Sequence, residues 1–397
     1  MAASSNTEAT NTMRHHNSLF HGLLQLVPWA RFDALVDRHG ADARVRRLST
    51  KSQFIALLHA QLSGASSLRE IEATLSSHRT RLYHLGAKAP ARSTLADANA
   101  KRPTAVFNDL FLELVKLAHP GLRRMTRDAV HLIDATSLRL NALSADWAGR
   151  REDNIAVKAH VDYSADGGVP VHFEIAPCRI NDITIAKTWK IAPGETYVFD
   201  LGYYDFTWFS KLHANGCRFV TRLKVHTRPR VIEERAVATD GNLRADRIVA
   251  IDNRLKSTRG TRHPLAAIAL REVVVVIETG KVLRILTNDL DASAEHIAQL
   301  YKTRWQIELF FRWIKQHLKI KRFFGTSEAA VRTQIAVAMI AFVLLRIACK
   351  AQTTTLSLLT FARLVRSNLM LIRPLKDLQT PPPRTIVDPH QAELDLC

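Results

Sequence analysis

The sequence predicts an α/β chain in which a helical stretch precedes a mixed layer of strands and helices, a β-rich segment and closing helices. Three observations lead there. Apolar residues recur at helical spacing from Ser18 to about Leu117. After Gly121 the pattern turns to alternating, β-rich runs, ordered as a three-strand meander and then strand, helix and strand. From Ser293 helical spacing returns.

Composition bounds the functional classes. The chain has 397 residues, with 47% apolar and 23% charged, which is ordinary for a folded protein and unlike a disordered one. Lys and Arg number 56 against 37 Asp and Glu, a formal charge of +19. Such an excess points to a polyanionic partner, nucleic acid before membrane. Cys178, Cys217, Cys349 and Cys397 show neither zinc spacing nor a disulfide framework. The N-terminus lacks the apolar core of a signal peptide, and the run Ile335 to Leu345 is too short to span a bilayer. The expectation is a cytoplasmic protein with no membrane partner.

Taken in order, residues 1–17 are polar and expected to be disordered. Residues 18–120 read as a helical N-terminal domain. Thr50 to Leu62 carries Phe54, Leu57, Leu58 and Leu62 at helical spacing, and Gly64 follows as a stop. Ser67-Leu-Arg-Glu70 is a capping box ahead of Ile71 and Leu75. Ser93 or Thr94 can cap a short helix ending near Arg102, and Pro103 can open another through Phe107, Leu110 and Leu114. The pair 67–77 and 91–102, joined by a basic connector at 78–81, has the order of a helix-turn-helix; a plain helical bundle fits it equally well. Arg79, Arg81, Lys88, Arg92, Lys101 and Arg102 are its candidate phosphate contacts.

Residues 121–224 hold runs expected as strands at 129–134, 156–163, 169–175, 197–200 and 219–224, with a helix over 205–214. Asp166-Gly-Gly168 is a hairpin turn. Residues 225–290 form the β-rich segment, with strands expected at 247–252, 272–277 and 282–286. Residues 291–371 read as helices at 293–319, 327–350 and 356–371, and residues 372–397 as a flexible tail.

The chemistry concentrates in Tyr301-Lys-Thr-Arg304-Trp-Gln-Ile-Glu308-Leu-Phe-Phe-Arg312-Trp-Ile-Lys315-Gln-His-Leu-Lys319. On one continuous helix, Tyr301, Arg304, Glu308 and Lys315 fall within about 60° of one another, joined by Arg312 and Lys319. Ile307, Phe310, Ile314 and Leu318 face the core, with Phe311 at its edge. By itself the polar face reads as a solvated surface stitched by Arg304–Glu308–Arg312 pairs. Two strands shift the balance. Val130-His-Leu-Ile-Asp134 and Tyr197-Val-Phe-Asp200 each end an apolar run in Asp. Two such carboxylates and one helical Glu form a hard-oxygen set suited to Mg²⁺ or Mn²⁺. Divalent ions there can activate a water or 3′-hydroxyl against a phosphodiester. His160 and Asp162, on one expected strand, are weaker candidates for the same site.

The spacing Tyr301-(2)-Arg304-(3)-Glu308-(6)-Lys315 resembles the Y-R-E-K signature of bacterial insertion-sequence transposases of the family numbered four. Asp134 in LIDATSL and Asp200 in FDLGYYD stand where that family has its first and second Asp, and the likeness runs over roughly residues 18–350. The resemblance implies a ribonuclease-H-like core with a β-rich insertion at 225–290, preceded by a helical domain and followed by C-terminal helices. It implies that Asp134, Asp200 and Glu308 bind Mg²⁺, with Mn²⁺ able to substitute. Tyr301, Arg304 and Lys315 would hold DNA phosphates, joined by Arg312 and Lys319. It implies a DNA transposase that hydrolyses the transposon ends and transfers them to target DNA. Double-stranded DNA, both terminal inverted repeats and target, would be its partner, and a homodimer the acting form. The sequence departs from the family at 225–290, which contain no Phe, Tyr or Trp to stack on a flipped base. The competing readings are a nuclease or resolvase of the same fold without strand transfer, and an inactive basic DNA-binding protein descended from a transposase.

Overall fold

Among the described residues seven α-helices precede the first strand: α1 (Leu19–Leu24), α2 (Trp29–Arg38), α3 (Thr50–Ser63), α4 (Leu68–Ser77), α5 (Arg79–His84), α6 (Arg92–Lys101) and α7 (Ala105–Ala118). These come from a computed structural model that describes residues 18–118, 129–151, 154–238, 241–251, 263–318, 320, 322–352 and 355–378. The local signals act as written in the sequence. Ser49 and Ser67 accept from the backbone N–H of Ser52 and Glu70, and Gly64 ends α3 in the left-handed conformation that its missing Cβ permits. The basic connector at 78–81 is not a loop; it opens α5. Among the described residues Arg44 alone of the non-glycines has a left-handed backbone, φ 62°, a state that costs an L-residue about 1 kcal/mol.

The sheet follows. Its strands are β1 (Val130–Arg139), β2 (Arg150–Arg151), β3 (Asn154–Ser164), β4 (Val169–Pro177), β5 (Thr196–Phe199), β6 (Arg218–Arg222), β7 (Arg230–Arg235), β8 (Leu243–Ala250), β9 (Leu270–Val276) and β10 (Val282–Thr287). Short helices α8 (Ala145–Ala148) and α9 (Asp182–Ala186), and the longer α10 (Phe206–Ala214), lie between them. β1 is central. It pairs antiparallel with β3 and parallel with β5; β4 runs antiparallel to β3, and β6 parallel to β5. The order β4-β3-β1-β5-β6, with β3 alone reversed, is a ribonuclease-H-like core. β10 then pairs antiparallel with β6, so the β-rich segment extends the same sheet as β10-β9-β8-β7.

Period-two alternation divides β1 between two cores. Leu132 joins the larger cluster with the N-terminal helices, while Ile133 joins a second cluster of Phe199, Trp208, Phe209 and Phe219 beneath α10. Helices α11 (Ala294–Thr303), α12 (Trp305–His317), α13 (Glu328–Ala351) and α14 (Leu358–Asn368) follow the sheet. By length and composition α13 is apolar enough to cross a membrane, but it is buried in protein, touching α3, α6, α7, α14 and β4. Phe310 and Trp313 of α12 meet Phe342 of α13 edge to face at 4.8 and 5.1 Å.

Four expectations need correction. The helix over 293–319 is two helices meeting at Arg304, because α11 docks on β6, β9 and β10 while α12 docks on β1. Asp134 does not end its strand, since β1 continues to Arg139 against β3. Arg230–Arg235 is an unforeseen edge strand, exposed from Arg230 to Glu234. Residues 372–378 are not a flexible tail: Ile372 bridges to Ser18, and Leu378 is buried. Residues 1–17 and 379–397 lie outside the described residues, as does Asp252 of the strand expected at 247–252.

Candidate active site

The parallel pair β1–β5 brings the two Asp together. Its last paired residues are Ile133 and Phe199, so Asp134 and Asp200 follow side by side at the carboxyl end of the pair. Here the strands differ. β1 runs on beside β3, whereas at Asp200 the chain turns, its Oδ1 accepting from Gly202 N at 2.8 Å to start the turn Leu201–Tyr203. Asp134 lies two residues beyond Leu132 and therefore on the face covered by α12.

Arg304, at the junction of α11 and α12, connects strand and helix. Its Nη2 lies 2.6 Å from Glu308 Oε1 and its Nη1 3.7 Å from Asp134 Oδ2. Asp134 is mostly buried, and burial raises its pKa to about 7. The Ala135 N–H at 2.8 Å and Arg304 oppose that rise, while Asp200 and Glu308 add to it. The three carboxylates thus share one electrostatic neighbourhood, with Arg304 as the counter-charge of Asp134 and Glu308. Tyr301 is buried, with Arg304 over its ring at 5.8 Å. Burial raises its pKa; Arg304 and Arg222 pull it down, and Asp200 pushes it up.

The break at Arg304 redistributes the other cations. Arg304–Glu308 forms, but Arg312 makes no ion pair with Glu308; it is exposed and lies 5.8 Å over the Trp305 ring. Lys315 is half-buried on α12, and Lys319 lies outside the described residues. Asp162 does not face the site. With Glu195 it brackets His131, at 2.8 and 2.7 Å, beneath the sheet.

Beside Asp200 lies a group of which the sequence offered only His160 as a candidate. Lys158 Nζ is 2.7 Å from Asp182 Oδ1, and His160 Nδ1 is 3.8 Å from the same oxygen. A Cβ on Gly202 would stand 3.0 Å from Asp200 Oδ1 and 3.3 Å from Asp182 Oδ2, so glycine is what lets the two carboxylates crowd this turn. Among the described residues, His160 and the Tyr203 hydroxyl are buried without hydrogen-bond partners. Burial raises the Tyr203 pKa well above its ordinary value, with Asp134, Asp182 and Asp200 adding to it. Asp182 follows Asn181 as an ordinary helix opening, which hides it; Tyr203, three residues after Asp200, was the available signal.

Among the described residues no three His, Cys, Asp or Glu stand close enough to grip a metal ion. The donor chemistry of Asp134, Asp200 and Glu308 nonetheless fits a hard divalent cation, being carboxylate oxygen throughout.

Residues 126–344 match the family described as Transposase DDE domain, and residues 15–88 match a domain of unknown function. A relative from Sinorhizobium fredii, named as transposase y4zB, is 38% identical over 312 residues, covering 76% of this chain and 86% of its own. One from Geobacillus stearothermophilus, named as the transposase of insertion sequence element IS5377, is 28% identical over 276 residues, covering 66% and 71%. A cryo-EM structure of the piggyBac transposase synaptic complex with hairpin DNA aligns over 94% of this chain and 84% of its own, at TM-score 0.44 and 11% identity. The DDE match spans more than half the chain and contains Asp134, Asp200 and Glu308; the chain belongs to the DDE transposase family.

Proposed function

We propose that this protein is an active, metal-dependent transposase that hydrolyses DNA at the ends of its element and joins the freed 3′-hydroxyl to target DNA. The observation that supports this most is that Asp134 and Glu308 both reach Arg304 with Asp200 beside Asp134; burial first, and the negative charge of Asp200 and Glu308 after it, raise the Asp134 pKa. Such crowding is a poor way to stabilise a fold and a good way to prepare a cation site.

In this reading Asp134, Asp200 and Glu308 hold divalent ions, Mg²⁺ or Mn²⁺. When bound, such ions lower the pKa of water and neutralise charge on the phosphate undergoing attack. The chain's own residues do the rest. Glu308, in the first turn of α12, is placed by Ile307, Phe310 and Ile314, whose burial fixes the helix against β1. Arg304 neutralises Asp134 and Glu308 while no cation does. Once those carboxylates are otherwise neutralised, its guanidinium is available to a phosphate oxygen. Lys315 and Tyr301 serve the same phosphates, with Arg312 and Lys319 beyond them along the backbone. The partners are the element's terminal inverted repeats and target DNA, with two copies of the chain acting across paired ends.

The test is cleavage of DNA carrying the element boundary, with and without Mg²⁺. Boundary-specific nicks are expected. In Glu308→Gln they should fall by on the order of a hundredfold or more, while duplex binding persists. Nicks without joined products would favour the nuclease reading, and tight binding without nicks an inactive descendant. Equal cleavage by Glu308→Gln would remove Glu308 from the site.

A further inference from the structure

The loop 40–48 and the end of α6 enclose an open cleft of about 620 Å³ in the N-terminal helices. Five cations line it, Arg44, Arg46, Arg47, Lys101 and Arg102, against one carboxylate, Asp97. Arg44, Arg46 and Arg47 are exposed, and none makes an ion pair among the described residues.

The loop is held from beneath. Asp42 Oδ1 accepts from Thr50 N at 2.8 Å and Thr50 Oγ1 at 2.7 Å. Arg102 donates to the Leu48 carbonyl and to Gln53 Oε1, and Gln53 donates to the buried Asn99 at 2.8 Å. Arg102 is therefore committed to this frame, which leaves the three loop arginines presented on a fixed base. Backbone conformation makes the point sharper. Glycine serves at position 40, where φ is 58°, but position 44 carries arginine at φ 62°. Glycine there would hold the loop without strain. What arginine adds is a cation.

The geometry points to a phosphate-binding surface for duplex DNA in this cleft, outside the carboxylate site and built by the domain of unknown function together with α6. A rigid loop of unpaired arginines fits a stiff polyanion whose phosphates recur at fixed spacing. The inference rests on the reading of this chain as a DNA-handling enzyme. It displaces the basic connector as the first phosphate contact, because Arg81 there already donates to the Met370 carbonyl.

The test is anisotropy of a short labelled duplex titrated with the full chain at salt from about 50 to 200 mM, for the natural protein and for Arg44→Gln/Arg46→Gln/Arg47→Gln. The triple variant should bind with a salt slope shallower by about two to three and an affinity lower by about tenfold or more. Arg44→Gly provides a variant that cannot be dismissed as misfolded: it should melt at a higher temperature and still flatten the slope by about one. Unchanged slopes in both variants would overturn the proposal. So would displacement of the duplex by polyglutamate at matched charge, which would make the cleft a site for acidic peptide. Absent boundary cleavage with the slope change intact would sink the catalytic reading and leave the cleft standing.

Discussion

His131 and Tyr203 are opposite cases of a buried polar side chain. His131 is buried between Asp162 and Glu195. Burial pushes its pKa down, but the two carboxylates outweigh burial and hold it at about 10, above its ordinary 6.5. The folded value exceeds the unfolded one, so the stabilisation is complete below about pH 6.5 and is lost as pH rises through about 10. Denaturant unfolding should therefore show stability declining over that window. His131→Gln should flatten the decline and cost about 3–5 kcal/mol at neutral pH, because two buried carboxylates lose their counter-charge. Tyr203 has the reverse problem, a buried hydroxyl without a hydrogen-bond partner among the described residues. An orphaned hydroxyl costs about 1–3 kcal/mol, so Tyr203→Phe should raise the unfolding midpoint rather than lower it. A lower midpoint would show that the hydroxyl is satisfied in solution. At this scale the sequence is legible where a charge breaks a pattern: Asp134 and Asp200 in apolar runs, Glu308 alone among cations. Lys158, His160 and Asp182 were not legible as a group, because two strand positions and a helix opening meet only after β3 and α9 fold together.

Elements announce themselves through apolar periodicity, and the misses here are those without it. β7 has four charged residues among six and is exposed except at Arg235, so nothing in its pattern distinguishes it from a loop; it forms because β8 offers it an edge. The junction at Arg304 carries neither Pro nor Gly, and the apolar spacing runs through it. Only the different docking directions of α11 and α12 end one helix and begin the next. α13, apolar on most sides in the sequence, is buried on nearly every side from Ala330 to Leu345. Ile340→Ala on it should cost about 2–5 kcal/mol, read as a fall in the unfolding midpoint. A change under about 1 kcal/mol would mean that the helix is looser than its burial shows.

For the whole molecule, one core joins what the sequence divides. The larger cluster runs from Leu19 to Leu378 and includes residues of α3, α7, β1, β3, α12 and α13. The N-terminal helices and the ribonuclease-H-like layer therefore share α13. A chain beginning at residue 129 would leave the α13 side that packs on α3, α6 and α7 bare, an apolar patch of the kind that drives aggregation. Such a truncation should be insoluble or molten by near-UV circular dichroism, whereas an independently folding layer would give a sharp melt. The positive charge also belongs to this scale, since its formal +19 is spread over the whole chain.

The pairing of Ser18 with Ile372, reinforced by Leu19 N donating to the Leu371 carbonyl at 2.9 Å and Phe20 N to the Leu369 carbonyl at 2.8 Å, gives the fold the shape of a clasped bracelet. A passenger fused ahead of Ser18 and one fused after residue 378 would emerge at neighbouring points on the surface. Two reporters attached that way would ride side by side, and the gap between them would report whether the clasp is shut.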